Sequence, residues 1–264
     1  MPRAAPSTRD EVRPATSSLA RGLEVLRCFT ADAPELTVSE IARRSGLPQP
    51  TVWRLAQTLV DLGFLVMTPG RQTLRPGLPV LSLGYSAIAG QPIAELAAAD
   101  MQAIATRHEG AVSLGVRDGA SMIYVQRRQG SQIIFADLRV GSRVPIATSA
   151  TGWAYLAALD EAAREPLLES LAREQGPAWA QIEPRLLEGL RGFASTGYVV
   201  NCGSMHARVN SVAVPVVAPD RSIILSLSSG GVADVFTPER LVTVAAELRA
   251  LAARLSTLLG RHPV

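Results

Sequence analysis

The sequence predicts two folded parts, a small helical module closed by a β-hairpin and a larger α+β domain built on an antiparallel sheet. Three observations carry this reading. Between Thr37 and Gly63 two short amphipathic helices are set off by cap and turn residues, and the hydrophobic period changes directly after them. Beyond Pro92, helical patterns alternate with paired strand-like runs. The length of 264 residues is enough for two domains, and 47% hydrophobic residues are enough to give each a core.

The first helix is expected from Ser18, with Leu19, Leu23, Leu26 and Phe29 at the spacing of a buried stripe. Residues 1–17, rich in Pro, Ser, Thr and Ala, are expected to be a disordered tail. Thr37-Val38-Ser39-Glu40 fits a capping box that opens a short helix, with Val38, Ile41 and Ala42 inward and Glu40, Arg43 and Arg44 outward. Gly46 suits the left-handed end of that helix, and Leu47 to Pro50 makes a tight connection. Pro50 then suits the first position of a second helix. Its stripe is Val52, Leu55, Ala56, Leu59 and Leu62, while Thr51, Trp53, Arg54, Gln57 and Thr58 face away. After Gly63, residues 64–68 and 71–75 read as strands around the turn Pro69-Gly70. Two such helices followed at once by a basic hairpin form a winged helix-turn-helix, expected over 18–78.

Charge supports the same division. All 26 basic residues are Arg, and the net charge is only +3. Residues 1–92 hold 10 Arg against 7 acids, and the remainder holds 16 of each. Within 43–75, five Arg stand against Asp61 alone. A local basic patch beside a neutral domain suits a reader of double-stranded DNA joined to a domain for a small partner. The expected base-edge residues are Gln49, Thr51, Trp53 and Arg54, with Gln57 also expected to bind DNA and Arg43, Arg44, Arg71 and Arg75 on phosphates or groove walls.

A short apolar helix over 79–91 is expected to serve as linker and dimer contact, with Val80, Leu81 and Leu83 beside the opening helix. A single reading module covers about half of a typical site, so a homodimer on a near-palindromic operator is expected. From 92 to 264 the second domain begins with a helix carrying Ile93, Leu96, Ala97, Met101, Ile104 and Ala105. Strands are expected at 112–117, 122–127, 132–138, 198–201, 211–218 and 223–228, and helices at 152–159, 161–173 and 184–195. Thr237-Pro238 opens a final helix.

Several function classes fall away. Cys28 and Cys202 are too far apart in sequence for a disulfide framework, and with three His no metal-ligand spacing exists, so no cofactor or metal is expected. Residues 1–13 do not read as a secretory leader, and no run approaches the ~18 apolar residues of a membrane span. A cytoplasmic protein without membrane contact is expected. An enzyme, with the N-terminal module serving only assembly, is the alternative from another class. No nucleophile elbow or phosphate loop supports it. Cys202 reads as a small apolar core residue.

Four stretches, in order, resemble the IclR family of bacterial transcriptional regulators over about 18–260. They are Ser18 to Leu26; Val38 to Leu62 with Gly46-Leu47-Pro48; Gly141 to Pro145 running into Ser149 to Ala154; and Gly197-Tyr198 with Val212 to Val216 and Leu225 to Ser228. The resemblance implies a GAF-like α+β effector-binding domain that takes a small organic acid or related polar metabolite. It implies a repressor of a catabolic operon, and dimers that pair into tetramers. Carried over by position, the effector site is Ile133, Ala136, Val144, Ala150, Thr151, Asn201, Val209, Ser211, Ser226 and Ser228. The chain departs from the family pattern at 201–206, where Asn201-Cys202-Gly203 replaces an acidic run, at Arg208 and at Trp153. His206 and Arg208 either pair with an anionic ligand or lie exposed on a loop.

Overall fold

A computed structural model of the protein describes residues 18–89, 92–131 and 138–260. The expected tail, and the expected strand at 132–138 apart from Leu138, lie outside the described residues. Contacts divide the chain into two compact units between Ser86 and Ala87.

In the first unit α1 (Ser18–Arg27), α2 (Val38–Ser45) and α3 (Gln49–Asp61) precede a hairpin of β1 (Leu65–Met67) and β2 (Leu74–Pro76). Thr37 and Glu40 close a reciprocal capping box on α2, and Gly46 ends that helix at φ +70°, where a side chain would be strained. The α3 helix starts at Gln49, one residue before Pro50. The core is Val25, Cys28, Leu36, Ile41, Val52, Ala56, Leu65 and Leu74. A backbone bridge between Leu36 and Leu74 ties the loop before α2 to the hairpin.

Two expected stripes are corrected. Leu19 and Leu23 are exposed, because α1 turns Val25 to the core, followed by Cys28 just past its end. Leu62 is the C-cap of α3 and 62% exposed, since the helix ends before its stripe does. The linker helix α4 (Leu78–Ala89) leaves Leu78, Leu81, Leu83 and Tyr85 exposed.

The second unit is a three-layer sandwich. Its helices are α5 (Pro92–Leu96), α6 (Ala98–His108), α7 (Ala150–Ala158), α8 (Glu161–Gln175), α9 (Trp179–Thr196) and α10 (Pro238–Leu259). The strands are β3 (Ala111–Asp118), β4 (Ser121–Gln129), β5 (Arg143–Pro145), β6 (Val199–Cys202), β7 (Val209–Val217) and β8 (Ile224–Val232). Among the described residues they form one antiparallel sheet in the order β5-β4-β3-β8-β7-β6. One face packs Val112, Leu114, Val214, Val216, Leu225 and Leu227 against α5, α6 and α10. The other packs Met122, Tyr124, Val199 and Ala213 against α7 to α9. Alternation along β8 therefore turns Leu225 and Leu227 to the first layer and Ser226 and Ser228 to the α7 side.

The differences from the sequence reading have local causes. The helix expected from Pro92 breaks at Ala97 into α5 and α6, leaving Leu96 exposed. The α9 helix begins at Trp179 rather than Pro184, because Trp179 and Ile182 pack onto the core and hold the extra turn. Pro184 there costs one early rung of the ladder. Three-residue β5, expected as loop, pairs Val144 with Met122 and is too short to carry a period.

Candidate functional site

The exposed face of α3 carries Trp53, Arg54, Gln57 and Thr58, while Val52 and Ala56 are buried beneath it. At 100° per residue, Arg54 and Gln57 lie near the middle of that face. Gln49 and Trp53 flank it on the side of the hairpin, where they line a groove with Thr37, Ser39, Met67 and Gln72. Thr51 is half-buried on the other flank. Gln49 donates to Ser39 Oγ at 3.1 Å, joining the starts of α2 and α3. Gln57 donates to Asp61 at 3.1 Å.

The arginines differ in freedom. Arg43, Arg54 and Arg75 are exposed. Arg44 donates to the Cys28 carbonyl at 3.0 Å, stapling α2 to the end of α1. Arg71 faces Glu35 at 3.7 Å, and Glu35 also accepts from Thr73. Ser39, Met67 and Gln72 were not singled out in the sequence. Ser39 sits in the first turn of a capped helix, the place where backbone N–H groups favour a phosphate.

In the second unit α7 is wedged against the sheet. A Cβ on Gly152 would stand 2.3 Å from Ile146 Cα, and one on Gly115 would stand 2.9 Å from Thr151 Cγ2, so both approaches require glycine. Ser149 caps α7 by accepting from Gly152 N at 3.1 Å and donates its hydroxyl to the Pro145 carbonyl at 2.6 Å. Thr151 donates to Ser228 Oγ at 2.9 Å. Asn201 donates to the Thr148 carbonyl at 2.8 Å and accepts from Ser204 N, fixing the loop after β6.

These groups surround a cavity of about 50 Å³. Of the carried-over residues, Ala150, Thr151, Asn201, Val209, Ser211 and Ser228 line it. Val144 and Ser226 are buried away from its lining, the Ser226 hydroxyl without a hydrogen-bond partner. Ile133 and Ala136 lie outside the described residues. His206 joins the lining, whereas Arg208 is exposed and does not.

Sequence reasoning missed Ser113, Tyr124, Arg127, Leu138 and Met205 on the wall. Burial pushes the Tyr124 hydroxyl's pKa up, against hydrogen bonds with Thr151 and Ser113 and the charge of Arg127. Cys202, expected in the core, is exposed on edge strand β6. Trp153 is buried and donates from Nε1 to the Ala147 carbonyl at 2.8 Å, so here it is a packing residue.

A winged helix-turn-helix joined to an α/β/α domain with an internal polar cavity is the build of a transcriptional regulator. The model of the IclR helix-turn-helix domain matches residues 18–69, and that of the bacterial transcriptional regulator IclR C-terminal domain matches residues 85–257. The chain belongs to the IclR family of bacterial transcriptional regulators. It is 31% identical over 202 residues to the HTH-type transcriptional regulator TsaQ1/TsaQ2 of Comamonas testosteroni, covering 76% of this chain and 72% of that one.

Among solved structures, an IclR family transcriptional regulator from Brucella abortus matches with a TM-score of 0.84 and 36% identity, covering 94% of each chain. An IclR homolog from Microbacterium hydrocarbonoxydans, complexed with 4-hydroxybenzoate, matches with a TM-score of 0.73 and 25% identity over 93% of this chain and all (100%) of that one. The relatives are named as regulators, and the enzyme alternative is set aside on that finding. No helix among the described residues is long and apolar enough to cross a membrane.

Proposed function

We propose that this regulator is a repressor of a catabolic operon, released from its operator by a small organic acid bound in the α7 cavity. The observation that carries the proposal is the cavity itself. A helix start, hydroxyl side chains including Thr151, Ser211 and Ser228, and Asn201 converge on one cavity with apolar wall residues Ala150, Val209, Leu138 and Met205. A few placed polar groups in an apolar wall is the form of a ligand site. The first backbone N–H groups of a helix have no partner within it and favour an anion. The neighbour that holds 4-hydroxybenzoate supports an acid as the ligand class.

Base contacts would come from Gln49, Thr51, Trp53, Arg54 and Gln57, and backbone contacts from Arg43, Arg44, Arg71 and Arg75. The operator would be a near-palindrome read by a dimer, or by a tetramer made of two dimers. Residues 79–91 would carry the coupling as the covalent link between reader and effector domain.

The test is operator affinity, measured by fluorescence anisotropy while metabolites of the genes beside the operator are titrated in, for wild type and Ser211→Leu. Ser211 is half-buried at the cavity wall, so a leucine fills space there without entering the core. The expected result is loss of the response with DNA binding intact. An identical response in both proteins would place the effector elsewhere.

A further inference from the structure

Among the described residues, Arg127 is the arginine that lines the cavity. Arg107, Arg143 and Arg254 meet Glu247, Asp118 and Asp100 near the surface. Arg127 is half-buried on β4, and its partners among the described residues are neutral. Its Nη1 donates to Ser113 Oγ at 2.8 Å. With the Gln129 amide turned so that oxygen faces the guanidinium, Nε and Nη2 each donate to it at 3.2 Å. The Tyr124 ring centroid lies 5.7 Å from the guanidinium carbon. Among the described residues no carboxylate comes within 4.0 Å of it.

A guanidinium stays charged in a protein, so taking it out of water without an anion is costly. Burial lowers its pKa here, opposed only by Tyr124. Neutral hydrogen bonds and one aromatic face offset part of that cost. Arg127 and Ser113 also line the same cavity as Thr151 and Ser228. The charge is therefore placed where a ligand would meet it, on a wall shared with hydroxyl and amide groups.

We infer that Arg127 recognises the carboxylate of the effector, and that uncharged hydroxyl and amide groups of the same cavity take another polar group of the ligand. The inference rests on the organic-acid reading above and adds the residue and the ligand's pattern of polar groups. One guanidinium matches one carboxylate, and a planar fork takes it in two parallel bonds. Thr151, Ser211 and Asn201 line the same cavity and suit a hydroxyl or carbonyl of the ligand. The cavity of about 50 Å³ gives room for few atoms, since one water takes roughly 10–15 Å³ of such space.

The probes are glycolate, lactate, pyruvate, benzoate and 4-hydroxybenzoate, each beside its primary amide, with malonate as a dicarboxylate. Each is titrated against the full-length protein on operator DNA and in thermal melts, for wild type, Arg127→Gln and Arg127→Lys. Wild type should respond to at least one monocarboxylate and not to its amide. Arg127→Gln should need about 10- to 100-fold more of the same acid, and Arg127→Lys should recover part of the loss. An acid response unchanged in Arg127→Gln overturns the role of Arg127, and equal responses to acid and amide overturn the carboxylate. Those wild-type arms decide even where Arg127→Gln does not fold. A wild type that ignores every acid sinks the organic-acid reading itself, a different failure from an acid response that bypasses Arg127.

Discussion

Thr151 at the start of α7 donates its hydroxyl to Ser228 in the middle of β8, 2.9 Å away across 77 positions of sequence. Both residues are buried, so the bond pins the helix start to the sheet at the cavity wall. Gly115 beneath it leaves the space that Thr151 Cγ2 fills.

Thr151→Val keeps the shape and removes the hydroxyl. The Ser228 oxygen then loses its donor in a place with little water, which costs about 1–3 kcal/mol. Urea unfolding should show a lower midpoint with the same slope. An unchanged midpoint would mean that the bond contributes nothing to holding α7.

The DNA face gives a second expectation. Arg54 is exposed near the middle of the polar face of α3. Arg54→Ala should lose about 1–3 kcal/mol of operator affinity and relax sequence preference, as removal of a bidentate base contact does. Arg75→Ala should weaken all sequences alike and flatten the plot of log affinity against log salt by about 0.9. Arg71→Ala should do less, because Glu35 already holds part of its charge. Unchanged operator affinity in Arg54→Ala would refute the assignment of α3 as reading helix.

The capping box of α2 makes a pH-dependent contribution. Thr37→Ala should destabilise the first unit by about 1 kcal/mol. Hydrogen bonds from the Thr37 backbone and hydroxyl hold the Glu40 carboxyl below its ordinary value of 4.5. A lowered folded pKa means that this stability is present above the unfolded value and lost as pH falls through the folded one. Thermal melts should therefore show the wild-type advantage over Thr37→Ala shrinking as pH drops below the ordinary value. An advantage that grows on acidification would contradict the box.

Assembly supplies a fourth expectation. Leu78, Leu81, Leu83 and Tyr85 on α4 are 81%, 70%, 61% and 71% exposed, and Leu19 and Leu23 on α1 are exposed as well. Exposed apolar surface of that extent is the place where a second copy related by two-fold symmetry is expected to pack. Sedimentation at micromolar concentration should give a dimer or larger species, and Leu81→Glu with Leu83→Glu should shift it towards monomer. A monomeric wild type that still binds its operator tightly would contradict this.

The N-terminal unit was legible in the sequence because local chemistry specifies it. The Thr37/Glu40 box, Gly46 and the Pro69-Gly70 turn each need only a few neighbouring residues. The stripes misled where burial depends on distant packing. Leu19 and Leu23 have the right period and no wall to face, while Val25 and Cys28 meet α2 and α3.

The cavity was half legible. Thr151, Asn201, Ser211 and Ser228 follow from family position, but Tyr124 and Arg127 come from register. They line the cavity because β4 pairs with β3 through a shift at Leu114/Gly115, a long-range feature without a sequence signature. Ser226 and Ser228 share a strand face by period two, yet only Ser228 reaches the cavity, because α7 crosses β8 at one place.

Linkage between the two sites tests the central claim most directly. Operator affinity is measured with and without the acid to which the wild type responds, and affinity for that acid is measured with and without operator. Coupling through a shared equilibrium is reciprocal, so both ratios should be the same factor, about 5- to 150-fold. Both affinities should fall together. An acid that binds the cavity tightly while both ratios stay at one would show that the cavity does not regulate DNA binding.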